Sequence, residues 1–234
     1  MLLDLRPICP DKAGMDDTAD KAAFMAHANV SRETSDKIHI YVRLLREWQE
    51  KMNLVGPSTL GEIWTRHILD SYQLLALGAR RPEGLPANKI FRIVDLGSGA
   101  GFPGMVLAMC GAGDVCLVES DQKKASFLEI VSRETSTPVR IYPERAERLP
   151  TFGADVVTAR AMAPLEKLLP HAHHHLKKVG VALFMKGRQW ATEVEAAQKG
   201  WAFALEQRAS LTAPDSAILR LTAIKPAEKK RGQR

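Results

Sequence analysis

Apolar residues recur along this chain at two different spacings, and the change from one to the other falls near residue 90. Before it, Ile38, Tyr41, Val42, Leu45, Trp48 and Met52 return mostly at three- and four-residue intervals. That spacing lays one apolar stripe along a helix, as core packing rather than a cofactor box. Ser35 stands where an N-cap belongs, and Asn53 with the Gly56-Pro57 pair ends the segment. A second helix is expected from about residue 60, through Trp64, Ile68 and Leu75, to Gly78. Residues 80–89, with two prolines and a glycine, read as a linker. Residues 1–20 mix Pro, Gly and Asp without a period and are expected to lack order.

Beyond residue 90 short apolar runs alternate with amphipathic ones. Strands are expected at 90–96, 115–119, 139–142, 155–158 and 181–185, with helices at 105–110, 121–134 and 164–176. Residues 204–211 and 217–224 then alternate with only a short Pro-Asp loop between them, which predicts an antiparallel pair closing a parallel sheet. The expected class is α/β: a Rossmann-like, mostly parallel seven-stranded sheet behind a small helical annex. The expected divisions are a disordered 1–30, an annex at 31–88, a sheet domain at 89–225 and a basic tail at 226–234.

Composition narrows the class of protein. With 45% apolar and 26% charged residues the 234-residue chain is globular rather than disordered or fibrous. No apolar run approaches the roughly eighteen residues of a membrane span, and the start lacks a basic region followed by an apolar one. A cytoplasmic monomer is expected, with no membrane association. Three scattered cysteines (Cys9, Cys110, Cys116) make neither a disulfide scaffold nor a Cys-x-x-Cys metal site. The net charge is +6, and much of the surplus lies in the last ten residues, which hold five bases and one acid. The mild excess left on the body suits a polyanion partner, and a solvated surface equally.

The chemistry should lie outside the carboxyl ends of the strands, at the point where strand order reverses. Strand one runs into Asp95-Leu96-Gly97-Ser98-Gly99-Ala100-Gly101-Phe102-Pro103-Gly104. Four glycines in eight positions let the backbone bend tightly and a ligand come close, and Pro103 fits the first turn of the next helix. Glu119, at the end of strand two, can accept hydrogen bonds from both ribose hydroxyls of a nucleoside cofactor. Two registers are open. Gly99-x-Gly101-x-x-Gly104 fits the dinucleotide pattern of a nicotinamide-dependent oxidoreductase. Asp95, Gly97, Gly99 and Gly101 with Glu119 instead suit S-adenosylmethionine (SAM), because an acid at the strand's end is awkward beside a pyrophosphate and useful beside a sulfonium. No phosphate-binding Gly-x-x-x-x-Gly-Lys-[Ser/Thr] loop is present.

Asp-x-Gly-x-Gly-x-Gly, an acidic end to strand two and a terminal antiparallel pair resemble the SAM-dependent methyltransferase fold. The resemblance narrows further over about residues 38–225. Asn53-Leu54-Val55, Arg66-His67-Ile68-Leu69-Asp70-Ser71, Asp95 to Gly104, Lys123-Lys124 with Phe127-Leu128, Arg145-Ala146-Glu147, Arg160-Ala161 and Lys186-Gly187 are similar, in that order, to the RsmG (GidB) family. The resemblance implies methyl transfer from SAM to guanine N7 of 16S ribosomal RNA, at guanine 527, with that RNA or the small ribosomal subunit as partner. It also implies a SAM pocket including Gly97, Phe102, Ala146, Glu147 and Arg160. Arg160 would hold either the SAM carboxylate or a substrate phosphate. Phe102 stands where related sequences often carry Leu, which alters the wall and not the chemistry.

Guanine N7 has an exposed lone pair and no proton, so no general base is required and none is assigned. The RNA should be held by Arg66, His67, Lys123, Arg145 and Lys186, most of which fall at strand ends. The target base must be extruded, with Phe102 as one candidate for stacking. His171, His173, His174 and His175 lack an accompanying carboxylate or cysteine, so no metal is expected. A non-enzymatic RNA-binding protein with a vestigial pocket is the third reading.

Overall fold

A computed structural model of the chain describes residues 18–228. The expectations for residues 1–17 and for the tail beyond 228 lie outside the described residues. Within the stretch expected to lack order, α1 (Thr18–His27) is a helix, pinned by the fully buried ring of Phe24. Phe24 packs on Trp64 and Tyr72 at centroid distances of 5.7 and 5.9 Å. One large apolar residue among polar neighbours carries no period, so the sequence does not announce this helix.

The first striped helix, α2 (Arg32–Gln49), begins four residues earlier than expected. Ser31 is its N-cap, accepting from the Thr34 backbone N–H. The second helix is broken where regularity was expected. Residues 57–77 form a 3₁₀ segment (Pro57–Glu62), a π segment (Trp64–Leu69), the short α3 (Asp70–Tyr72) and another 3₁₀ segment (Gln73–Leu77). Gly78, with φ +109°, ends the run in the left-handed region. The π segment starts on the side chain of Asp20 from α1. Its carboxylate accepts from the backbone N–H groups of Trp64 (2.7 Å) and Thr65 (3.0 Å) and from the Thr65 hydroxyl.

Seven strands follow: β1 (Arg92–Leu96), β2 (Asp114–Val118), β3 (Arg140–Tyr142), β4 (Ala154–Arg160), β5 (Leu176–Lys186), β6 (Trp201–Ala209) and β7 (Ala217–Pro226). Their order is β3-β2-β1-β4-β5-β7-β6, parallel except at β7, which runs antiparallel to both β5 and β6. The expected parallel sheet with a terminal antiparallel pair is the observed one. Between the strands lie α4 (Gly104–Met109), α5 (Gln122–Glu134) and α6 (Leu165–His175). A further helix, α7 (Trp190–Ala197), buries only Val194 and Ala197 fully, too little apolar pattern to be seen in the sequence.

Alternation along β1 shows how the layers close. Val94 and Leu96 join a core with Leu165, Leu168, Leu169 and Val194 on the α6/α7 face. Ile93 joins the other core, which is continuous through α4 and α5 into the annex residues Ile38, Tyr41, Leu45 and Trp64. The annex therefore shares its core with one face of the sheet. Tyr41 makes the polar link, its buried hydroxyl donating to the Ala100 carbonyl in the glycine loop at 2.6 Å. No helix among the described residues is long and apolar enough to cross a membrane.

Candidate functional site

The strand order reverses between β1 and β4, and a cleft of about 890 Å³ opens there at the carboxyl edge of the sheet. Its floor is the loop after β1. Gly97 and Gly99 line it with φ of +63° and +57°, conformations that L side chains adopt at a cost. One wall is the end of β2 and another the end of β4. The 57–77 run of the annex closes the far side, bringing Arg66, His67 and Asp70 to the cleft.

Asp95 is placed differently from the expectation of direct cofactor contact. It points to the same sheet face as Ile93, beneath the loop, fully buried and outside the cleft lining. Its carboxylate accepts from the Gly104 N–H at 3.1 Å and from the Thr158 hydroxyl at 2.8 Å, and so joins the loop to β4. Burial drives its pKa up to about 6, against the hydrogen bonds that favour the anion. Gly104 must be glycine for this contact, since a Cβ there would collide with the Leu117 side chain and come within 2.8 Å of Asp95. Pro103 occupies the N-cap position of α4, one residue before the first turn in which it was expected. Gly101 also faces away from the cleft, packed against Tyr41 and Met105.

Glu119 lies in the cleft as expected. One of its oxygens accepts from the Gly99 N–H (2.7 Å) and the other from the Asp121 N–H (2.8 Å). A carboxylate has about four acceptor positions, so two remain for a pair of hydroxyls. Glycines with left-handed φ and an acid at the end of β2 therefore fit the adenosyl and ribose parts of SAM.

Phe102 lies in the wall but has no free face. The His67 ring stacks on it at 5.0 Å and 26°, and the Arg160 guanidinium lies over it at 4.8 Å. Only 3% of Phe102 is exposed, which corrects its candidacy for base stacking. Arg160 lines the cleft, donates to the Arg66 carbonyl at 3.2 Å and stands 3.7 Å from Asp70. Burial lowers its pKa and Asp70 opposes that; a guanidinium remains charged in this setting. Asp70 is further held by the hydroxyls of Ser210 and Thr212 and by the Gln73 amide. This junction, invisible in the sequence, clamps the annex to the β6–β7 loop.

His67 is not the cation that was expected. Burial first, then Arg160 and Arg66, push its pKa down to about 3. The Thr59 hydroxyl donates to the Gly56 carbonyl, so it accepts from His67 Nε2 at 2.8 Å, and Nδ1 is the bare nitrogen of a neutral ring. Lys186 is also committed. Its side chain is 7% exposed, salt-bridged to Glu193 at 2.6 Å and donating to the Ala163 carbonyl at 2.7 Å.

Besides Asp95 and Gly101, four expected residues are not brought to the cleft. Ala146 is buried, and Glu147 and Arg145 are exposed in the turn after β3, away from the lining. Lys123 is exposed on the first turn of α5, whereas its neighbour Lys124 lines the cleft. A helix offers its two successive lysines to different sides, and the strand-end argument does not choose between them. The histidines of α6 serve as anchors: His173, His174 and His175 reach the carbonyls of Ile224, Leu149 and Ala146. Among the described residues no group of three or more His, Cys, Asp or Glu is placed to hold a metal ion.

Comparison with known proteins gives the family and the fold. Residues 34–219 match the model of the GidB family, described as rRNA small subunit methyltransferase G. A ribosomal RNA small subunit methyltransferase G of Paramagnetospirillum magneticum is 47% identical over 204 residues, covering 86% of this chain and 94% of the relative. Among solved structures, a cofactor-bound protein from MTB (Rv0187) superimposes with a TM-score of 0.56 at 15% identity, covering 86% of this chain and 95% of that one. A methyltransferase from Geobacter sulfurreducens gives 0.53 at 10% identity, with 86% and 94% covered; these two speak for the fold. The chain belongs to the GidB family of small-subunit ribosomal RNA methyltransferases.

Proposed function

We propose that the chain transfers a methyl group from SAM to N7 of one guanine in 16S ribosomal RNA. Its membership in the family makes it a SAM-dependent methyltransferase; the atom and the nucleotide are the steps beyond that. The observation that carries N7 is the state of the basic groups in the cleft. His67 is neutral with its protonated nitrogen committed to Thr59, Asp70 is held by three donors, Glu119 by two backbone N–H groups and Glu193 by Lys186. His67 keeps a bare Nδ1, but that atom is buried and the ring's pKa is pushed down to about 3, which makes it a weak base, and each of these carboxylates already accepts from its own donors. An acceptor with a bare lone pair needs no base, and guanine N7 is such an atom.

SAM supplies an electrophilic methyl group when bound. The chain's contribution is placement. Gly97 and Gly99 give backbone access, Glu119 offers its spare acceptor positions to the ribose, and Arg160, partly buried in the lining, presents a guanidinium able to hold a carboxylate. Holding both reactants in line is worth several kcal/mol without any acid or base. Lys124 and Arg66 remain as cations at the cleft for the RNA backbone. The nicotinamide reading on Gly99-x-Gly101-x-x-Gly104 gives way to the family assignment, and so does a non-enzymatic binder. The Gly101 and Gly104 of that register face the protein.

The test is transfer of labelled methyl to 16S RNA transcripts made with guanosine or with 7-deazaguanosine. Label is expected in the first and not in the second. Equal label in both would place the methyl on another atom.

A further inference from the structure

Six large hydrophobic side chains are exposed among the described residues: Met25, Ile90, Met162, Val179, Leu205 and Leu211. Met162, 37% exposed, is the one of these that lines the cleft. The other large side chains of the lining that are wholly apolar, Leu54, Val55, Phe102, Met185 and Ile218, are 9% exposed or less and have no face to give, while the exposed Ala161 and Pro164 beside Met162 are small or ring-constrained. Met162 is presented by a strained turn. The residue before it, Ala161, has φ +52°, which costs a side-chain-bearing residue about 1 kcal/mol or more. The strain directs a thioether over the loop floor: a Cβ on Gly97 would meet Met162 Cγ at 2.8 Å.

This position is the boundary between two halves of the cleft. The β1 and β2 ends, with Gly97, Gly99 and Glu119, carry the cofactor features. The β4 and β5 ends, with Arg160 and Lys186, lie on the other side of the switch point. A base entering from solvent to meet a methyl group must stop at that boundary, extruded from its stack and in need of a flat apolar contact. With Phe102 only 3% exposed, we propose that Met162 is the platform on which the acceptor purine rests, its polarizable sulfur against the ring. The proposal rests on the methyl-transfer reading above.

The experiment compares wild type with Met162→Ala, Met162→Phe and, as a surface control, Val179→Ala. Three quantities are read: kcat/KM for RNA methylation, SAM affinity by calorimetry and the melting temperature. Met162→Ala is expected to lower kcat/KM about tenfold, the scale of one lost base–side-chain stack. Its SAM affinity and melting temperature should stay at the wild-type values. Met162→Phe should restore kcat/KM to within about twofold, since an aromatic face stacks at least as well. Val179→Ala should behave as wild type throughout. Wild-type kcat/KM in Met162→Ala would overturn the platform, as would a parallel change in SAM affinity in either direction, which would place Met162 in the cofactor's space. Absence of transfer by the wild type would instead overturn the methyl-transfer reading, and the platform with it.

Discussion

Asp95 shows how much a single side chain decides beneath this cleft. The residue type and its place at the end of β1 were legible in the sequence, but its partners were not. A carboxylate that satisfies Gly104 and Thr158 shapes the loop rather than touching what the loop holds. Asp95→Ala leaves a buried N–H and a buried hydroxyl without an acceptor, at about 1–3 kcal/mol each. SAM affinity is expected to fall at least tenfold through distortion of the loop, as calorimetry would read. The raised pKa has a definite sign. Below the unfolded value near 4 the neutral group carries its full advantage, and that advantage is lost as pH rises through about 6. Asp95→Asn does not titrate. The unfolding free energy of wild type minus that of Asp95→Asn should therefore decrease by about 2–3 kcal/mol between pH 4 and 7 in urea melts. A flat difference would show that Asp95 ionises as freely folded as unfolded. Lys186 teaches the converse: a cation at a strand end looks like an RNA contact until its partner is seen. Lys186→Ala should cost roughly 2 kcal/mol of stability, and the double variant with Glu193→Gln less than the sum of the two single changes, as paired residues do.

Elements that carry their own period were legible: α2, α5 and the strands β1, β2 and β4 fall within a few residues of where alternation and helical spacing place them. The missed or altered elements share a cause, which is that their stability comes from contacts distant in sequence. The helix α1 exists because Phe24 finds Trp64 and Tyr72. The 57–77 run departs from α-helical spacing where Asp20 receives its first N–H groups and Tyr72 and His67 take their packing positions. No local pattern records a cap supplied from 44 residues away. Asp20→Ala is expected to cost about 1–2 kcal/mol, as for a lost N-cap. Because the segment it holds carries Arg66 and His67, the kcat/KM for RNA should fall more than the affinity for SAM. A purely global destabilisation would move neither at temperatures well below the melt.

For the molecule as a whole, the chain order of glycine loop, acidic strand end and terminal antiparallel pair was enough to give the sheet and the side of it on which the cleft lies. The annex was visible as a helical unit, but not its purpose as the cleft's far wall. That role depends on the Asp70–Arg160 junction and the Tyr41 link to Ala100, both between residues more than fifty positions apart. The same assembly buries His67 as a weak base and engages the carboxylates of the cleft with donors, and on this the assignment to a proton-free acceptor atom rests. The most direct measurement is transfer of labelled methyl from SAM to small-subunit ribosomal RNA that lacks its own N7 methylation, followed by borohydride–aniline cleavage at N7-methylguanine. Label in the RNA with cleavage at a single guanine is the predicted result. Label without cleavage, or cleavage at many guanines, would contradict the account of one N7 brought to a cleft that works by placement alone.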